Sequence, residues 1–190
     1  MKVFALITAF VGLSLVAQAQ TPTTYKFPGL DASPLDVAYF PVNAARVKKE
    51  DKSQPVIKVL YSRPSAKGRE IFGVLEKYDQ VWRLGANEST EITFNKPVEI
   101  GQKKVKAGQY SLFAIPQKDK WTIILNSQLN RWGAFSYDES MDVLRFDVPI
   151  TTLDKTVEAF SIVFAETSYG AEMVMAWDKT QAILPIHFTK

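Results

Sequence analysis

The chain has 190 residues, no cysteine, 46% hydrophobic and 12% aromatic side chains, and a formal net charge of +3. That is enough for one domain with a substantial core and no disulfides. It excludes thiol catalysis, thiolate zinc sites and redox switching. A mild positive balance spread along the chain also lacks the concentrated basic face that nucleic acid demands.

In chain order, Lys2 precedes an apolar stretch over residues 3–16, followed by Ala17-Gln18-Ala19-Gln20. A basic start, a short apolar core and a small-x-small end are the parts of a cleavable secretory signal. Cleavage is expected after Ala19, giving a mature chain that begins at Gln20 and is exported, to the periplasm or beyond. The apolar core is shorter than the ~20 residues a membrane span needs, and no later stretch supplies one. Residues 20–34 carry Pro22, Pro28, Gly29 and Pro34 and predict an extended leader. Residues 35–190 then form a single domain, interrupted by a charged, solvated loop at residues 47–54.

Period-two runs dominate the domain. Residues 56–61 place Ile57, Val59 and Tyr61 on one face, and residues 142–148 do the same with Leu144, Phe146 and Val148. Residues 158–166 align Phe160, Ile162 and Phe164; residues 180–188 align Ala182, Leu184, Ile186 and Phe188. Alternation of this kind marks half-buried strands. Residues 110–115 and 121–126 are apolar on both faces and predict central strands joined by a short hairpin loop. Asp178 and Lys179 predict a turn between residues 171–177 and the last strand. Only residues 69–78 could hold a short helix, with Ile71, Phe72, Leu75 and Tyr78 on one side. The expected fold is all-β: an antiparallel β-sandwich, with a jelly roll as one candidate topology and at most one short helix.

Catalytic motifs are sparse. His187 is the only histidine, too few imidazoles for a His-based zinc site, and its strand phase makes it a surface or edge residue. No G-x-S-x-G, Walker-type or G-x-G-x-x-G motif occurs. Asp138-Glu139-Ser140-Met141-Asp142 offers calcium-type oxygens without EF-hand spacing, and reads as a solvated turn. Lys103, Lys104 and Lys106 read as hairpin lysines that deter edge-to-edge pairing. No metal and no cofactor is expected.

Residues 63–88 are different. Arg63, Lys67, Arg69 and Arg83 are four cations that share a largely irregular stretch with Trp82, Asn87 and Glu88. As a pocket, these would give guanidinium forks for a carboxylate, phosphate or sulfate and an indole face for a sugar ring. As structure, Arg63 and Arg83 would staple loops to Glu88 and to free carbonyls while Trp82 fills the core. Strand phase aims Arg63 at the core rim and so favours the structural role there, whereas Lys67 and Arg69 flank Gly68 on a turn and should be exposed.

The runs Tyr61-Ser62-Arg63-Pro64-Ser65-Ala66-Lys67-Gly68-Arg69-Glu70-Ile71-Phe72-Gly73 and Val81-Trp82-Arg83-Leu84-Gly85-Ala86-Asn87-Glu88 closely resemble the bacterial family catalogued as domain of unknown function 2911. So do Ala107-Gly108-Gln109-Tyr110-Ser111-Leu112-Phe113 and Asn130-Arg131-Trp132-Gly133-Ala134-Phe135. The resemblance runs from about Ser33 onward. It implies an exported protein, and no activity or catalytic residue comes with it.

Three functional expectations follow. The first is a non-catalytic module that binds a small anionic or saccharide ligand, or a cell-envelope polymer, through Arg63, Lys67, Arg69, Trp82, Arg83, Asn87 and Glu88. The second is a polysaccharide hydrolase using a carboxylate pair, such as Glu88 with Glu91 or Asp138. The third is a structural envelope module.

Overall fold

The computed structural model describes residues 24–44 and 54–188. The expected signal peptide, its expected cleavage after Ala19 and nearly all of the charged loop lie outside the described residues.

Nine strands form one hydrogen-bonded sheet: β1 (Leu35–Phe40), β2 (Ile57–Ser62), β3 (Thr90–Phe94), β4 (Val98–Ile100), β5 (Lys103–Val105), β6 (Gly108–Pro116), β7 (Lys120–Asn126), β8 (Asp142–Thr167) and β9 (Gly170–Phe188). Their order is β1-β2-β3-β6-β7-β8-β9-β4-β5, and every strand pair is antiparallel. The fold is therefore all-β, as the alternating runs predict. No α-helix occurs among the described residues; a 3-10 turn at Glu139–Met141 stands before β8.

Two long strands turn the sheet over on itself. The first part of β8 pairs with β7 from Asp142 to Pro149, and the rest pairs with β9. The register shifts between Thr152 and Val157 and again between Val157 and Ser161. Such bulges bend a strand and raise its twist, so the β8–β9 end folds back over β2, β3, β6 and β7. Residues just past β2 also reach the far edge of β8: the Phe160 amide donates to the Pro64 carbonyl at 2.9 Å and the Ala66 amide to Glu158 at 2.7 Å. Next to them, the Tyr61 hydroxyl accepts from the Ile162 amide at 3.0 Å, occupying the place a strand partner would take.

The core lies between these layers and is aromatic. Trp82, Trp121 and Trp177 are buried with Phe160, and Phe72 packs against them. Trp82 is drawn in by a two-way backbone pairing with Ala114, at 2.7 and 2.9 Å.

Three local expectations are corrected. Residues 142–148 and 158–166 belong to one strand, β8, because the polar stretch between them is bulged strand rather than loop. Asp178 is likewise inside β9, where it takes a positive φ of 53°, so Asp178-Lys179 is no hairpin turn. Residues 69–78 form a chain of turns and an isolated bridge between Phe72 and Glu76, not a helix. Gly73 breaks it: its φ is +93°, and a Cβ there would meet the Tyr78 ring at 2.7 Å.

Candidate functional site

The structure separates the residues of the 63–88 segment. Arg63 spans β1 and β8: Nη1 pairs with Asp36 at 2.9 Å, Nε donates to the Phe160 carbonyl at 3.1 Å and Nη2 to Ser161 Oγ at 2.8 Å. It ties the edge strand β1 to the second half of β8 beside a cavity of about 430 Å³. Charged hydrogen bonds contribute about 1.5–3 kcal/mol each when well shielded, and less here because both partners are partly exposed. Arg63→Ala should therefore lower stability by about 1–3 kcal/mol in urea unfolding; an unchanged midpoint would refute the clamp.

Lys67 is exposed, and its backbone amide donates to Glu158 Oε1 at 2.8 Å. Arg69 is exposed, but its guanidinium is turned back on its own loop, donating to the Ala66 and Ser65 carbonyls at 2.9 and 2.7 Å. Trp82 is core, 3% exposed, with Nε1 donating to the Gly85 carbonyl at 3.1 Å. None of these four lines the cavity that Glu88 lines.

Glu88 and its neighbours instead meet residues more than 40 positions further on. An isolated antiparallel bridge pairs Glu88 with Trp132, the Ser89 amide donates to the Arg131 carbonyl at 2.9 Å, and the Gly133 amide donates to Asn87 at the same distance. Asn87 adopts a positive φ of 58°, and its amide donates to Asp31 Oδ1 at 3.0 Å, tying the leader to the loop. Beneath this pairing lies a cavity of about 330 Å³ lined by Glu88, Glu91, Ser62, Asn130, Arg131 and Trp132, among others. Trp132 is 61% exposed. Glu91 is fixed by the Gln109 amide at 2.7 Å and the Asn130 backbone amide at 3.2 Å. The Glu88 carboxylate has no hydrogen bond or ion pair with any described residue.

Arg83 lies on the other side of the same loop. Its Nη1 passes 2.9 Å from where a Gly133 Cβ would stand, so glycine is required there twice over, by space and by a φ of +64°. A second hollow of about 260 Å³ is lined by Arg83, Glu76, Val81, Trp82, Ala134 and Phe135. The buried Nε atoms of both Arg83 and Arg131 have no hydrogen-bond partner.

The carboxylates of the 138–142 loop are occupied. Asp138 caps the 3-10 turn through the Ser140 amide, at 2.9 Å. Asp142 accepts from Tyr137, Arg145 and Asn126 at 2.6, 2.7 and 2.8 Å. Partial burial, and next the bond to Asp142, push the Tyr137 hydroxyl up to about 12. No group of three or more metal-ligating side chains occurs among the described residues. His187 is exposed and stacks on Tyr169 with ring centroids 4.5 Å apart.

Sequence reasoning places Asn87, Glu88 and Glu91 near the cleft but misses Trp132, Arg131, Asn130 and Glu76 as site residues. The available signal was the Asn130–Phe135 run, whose tryptophan sits in an irregular stretch with no strand phase to bury it.

Fold and site together define a cysteine-free antiparallel β-protein, one sheet folded over an aromatic core, with two small clefts flanking a loop at its rim. Residues 43–186 match the family described as Protein of unknown function (DUF2911), and the chain belongs to that family. No curated protein and no solved structure matches it.

Proposed function

We propose that the chain is an exported, non-catalytic binding module for a saccharide, free or as part of a cell-envelope polymer. Its binding cleft is the one formed by Trp132, Glu88, Glu91 and Asn130. The observation that carries this reading is a tryptophan left 61% exposed beside a cavity whose other walls bring two carboxylates, an amide and hydroxyls together with Leu35, Leu60 and Arg131. A sugar ring presents C–H bonds on one face and hydroxyls around its edge. The indole offers an apolar platform for that face, while carboxylate and amide oxygens accept from the hydroxyls. Burying a tryptophan so exposed gives an apolar gain that the free protein forgoes. The signal-like residues 1–19 support a location outside the cytoplasm, where such polymers are found.

Titration calorimetry against neutral oligosaccharides of glucose, galactose and N-acetylglucosamine tests the proposal. At least one should bind, and Trp132→Ala should weaken it by about tenfold or more, equivalent to about 1.4 kcal/mol. No binding by any sugar, or equal binding by parent and variant, would reject it.

The placement of Glu88 and Glu91 around one cavity favours a second reading, glycoside hydrolysis by a carboxylate pair. Release of reducing ends by the parent, lost in Glu88→Gln while sugar binding persists, would establish that reading in place of the first.

A further inference from the structure

The hollow between Glu76 and Arg83 has an unusual combination of groups. Arg63, Arg69 and Arg145 each spend their guanidinium on carboxylates, hydroxyls or carbonyls. The Arg83 guanidinium has no such partner among the described residues, and its Nε is buried without an acceptor. Glu76 lines the same hollow yet makes no ion pair with it. A guanidinium with a buried nitrogen left unmet, lining one hollow with a carboxyl group that does not meet it, is the arrangement of a site waiting for an acceptor. The remaining walls, Val81, Ala134 and a Phe135 that is 85% exposed, are apolar.

We infer that this hollow is a second binding site, taking a small organic acid whose carboxylate is gripped by Arg83 and whose apolar body rests against Phe135, with Glu76 as its gate. The ligand class follows from the pairing of a forked cation with an apolar wall. The gate follows from charge. Burial pushes Glu76 up to about 7 against the pull of Arg83 and then Arg69, the two charged groups that face it. Protonated, Glu76 can donate to the incoming carboxylate; ionised, it repels the ligand and offsets the charge of Arg83. Binding should therefore be linked to uptake of one proton by Glu76. This site is separate from the Trp132 cleft and does not depend on the saccharide reading.

The probe is benzoate, which keeps a single negative charge across the neutral range. Calorimetry on the full protein should show binding at about pH 6 that weakens by about tenfold at about pH 8, as the protonated fraction of Glu76 falls. Glu76→Gln should bind equally at both pH values, because its amide donates without titrating. Arg83→Gln should bind at neither. Absence of benzoate binding by the parent at the lower pH would overturn the inference. So would undiminished binding by Arg83→Gln, or a pH dependence retained in Glu76→Gln. Should Arg83→Gln fail to fold, the comparison of parent with Glu76→Gln decides alone, since His187, the only histidine, is unchanged in both.

Discussion

Trp82→Ala should destabilise the protein by about 3–5 kcal/mol, the range for removing a large aromatic side chain from a packed core. Trp82 is 3% exposed and sits at the centre of the aromatic cluster. Its ring centroid lies 5.1 Å from Phe160, 5.6 Å from Trp121, 5.7 Å from Phe72 and 5.8 Å from Trp177. These neighbours come from β7, β8, β9 and the turn region before Trp82, so one ring joins both layers of the folded sheet. Alanine would leave a cavity that four large rings cannot close without leaving their rotamers. It would also remove the donor that meets the Gly85 carbonyl. For a chain of this size the melting temperature should fall by on the order of 10 °C. Trp132→Ala, by contrast, should change stability by no more than about 0.5 kcal/mol, as at other exposed positions. A loss below about 1 kcal/mol for Trp82→Ala in urea unfolding would mean that the cluster is not the core of the fold.

That contrast between two tryptophans measures what the sequence could disclose. Trp82 lies in a short alternating run, Val81-Trp82-Arg83-Leu84, and alternation is a local property that predicts which side faces inward. The same logic put Ile57, Val59, Tyr61, Leu144, Val148, Phe160, Ile162, Phe164, Leu184 and Ile186 in the core, where all are buried. Phase also gave Arg63 its structural role at the rim. Local pattern fails where a strand absorbs an irregularity. Thr151 to Val157 is polar enough to read as a loop, but exposed strand residues are polar too, and a bulged strand can carry them without ending. Asp178 reads as a turn residue for the same reason that it tolerates positive φ within β9.

The cleft was less legible because it joins residues that are distant in the chain. Glu88 and Trp132 become neighbours only through the amides of Ser89 and Gly133, and nothing within either run names the other. Counting charges within a window instead grouped Arg63, Lys67 and Arg69 with Glu88, although the Arg63 guanidinium is spent on β1 and β8, that of Arg69 on its own loop, and Lys67 meets Glu158 through its backbone amide. Glu76 carried no signal at all. Glutamate in a polar turn is ordinarily solvated, and only the packing of Phe72, Trp82 and the 131–135 loop around it makes it unusual.

Glu76→Gln should make the protein more stable at alkaline pH and leave it nearly unchanged in mild acid. Burial raises the folded-state value of Glu76 from an ordinary 4.5 to about 7, and Arg83 and Arg69 recover only part of the cost. The folded form therefore holds its proton more tightly than the unfolded chain does. Stability is then fully present below about 4.5, declines as the pH rises from 4.5 to about 7, and falls no further on this account above that. At 1.36 kcal/mol per pKa unit the upper bound on the loss is about 3 kcal/mol. Partial solvent access reduces it to about 1–2 kcal/mol. Glutamine keeps the shape and cannot ionise, so it escapes the penalty. Urea unfolding at about pH 5 and about pH 8 should show the variant gaining about 1–2 kcal/mol on the parent only at the higher pH. An equal difference at both pH values would mean that Glu76 does not titrate in this range. A gain confined to the higher pH identifies the parent's alkaline loss as the cost of keeping an ionisable group beside Arg83, a cost that a natural core would ordinarily remove with an amide or an apolar side chain.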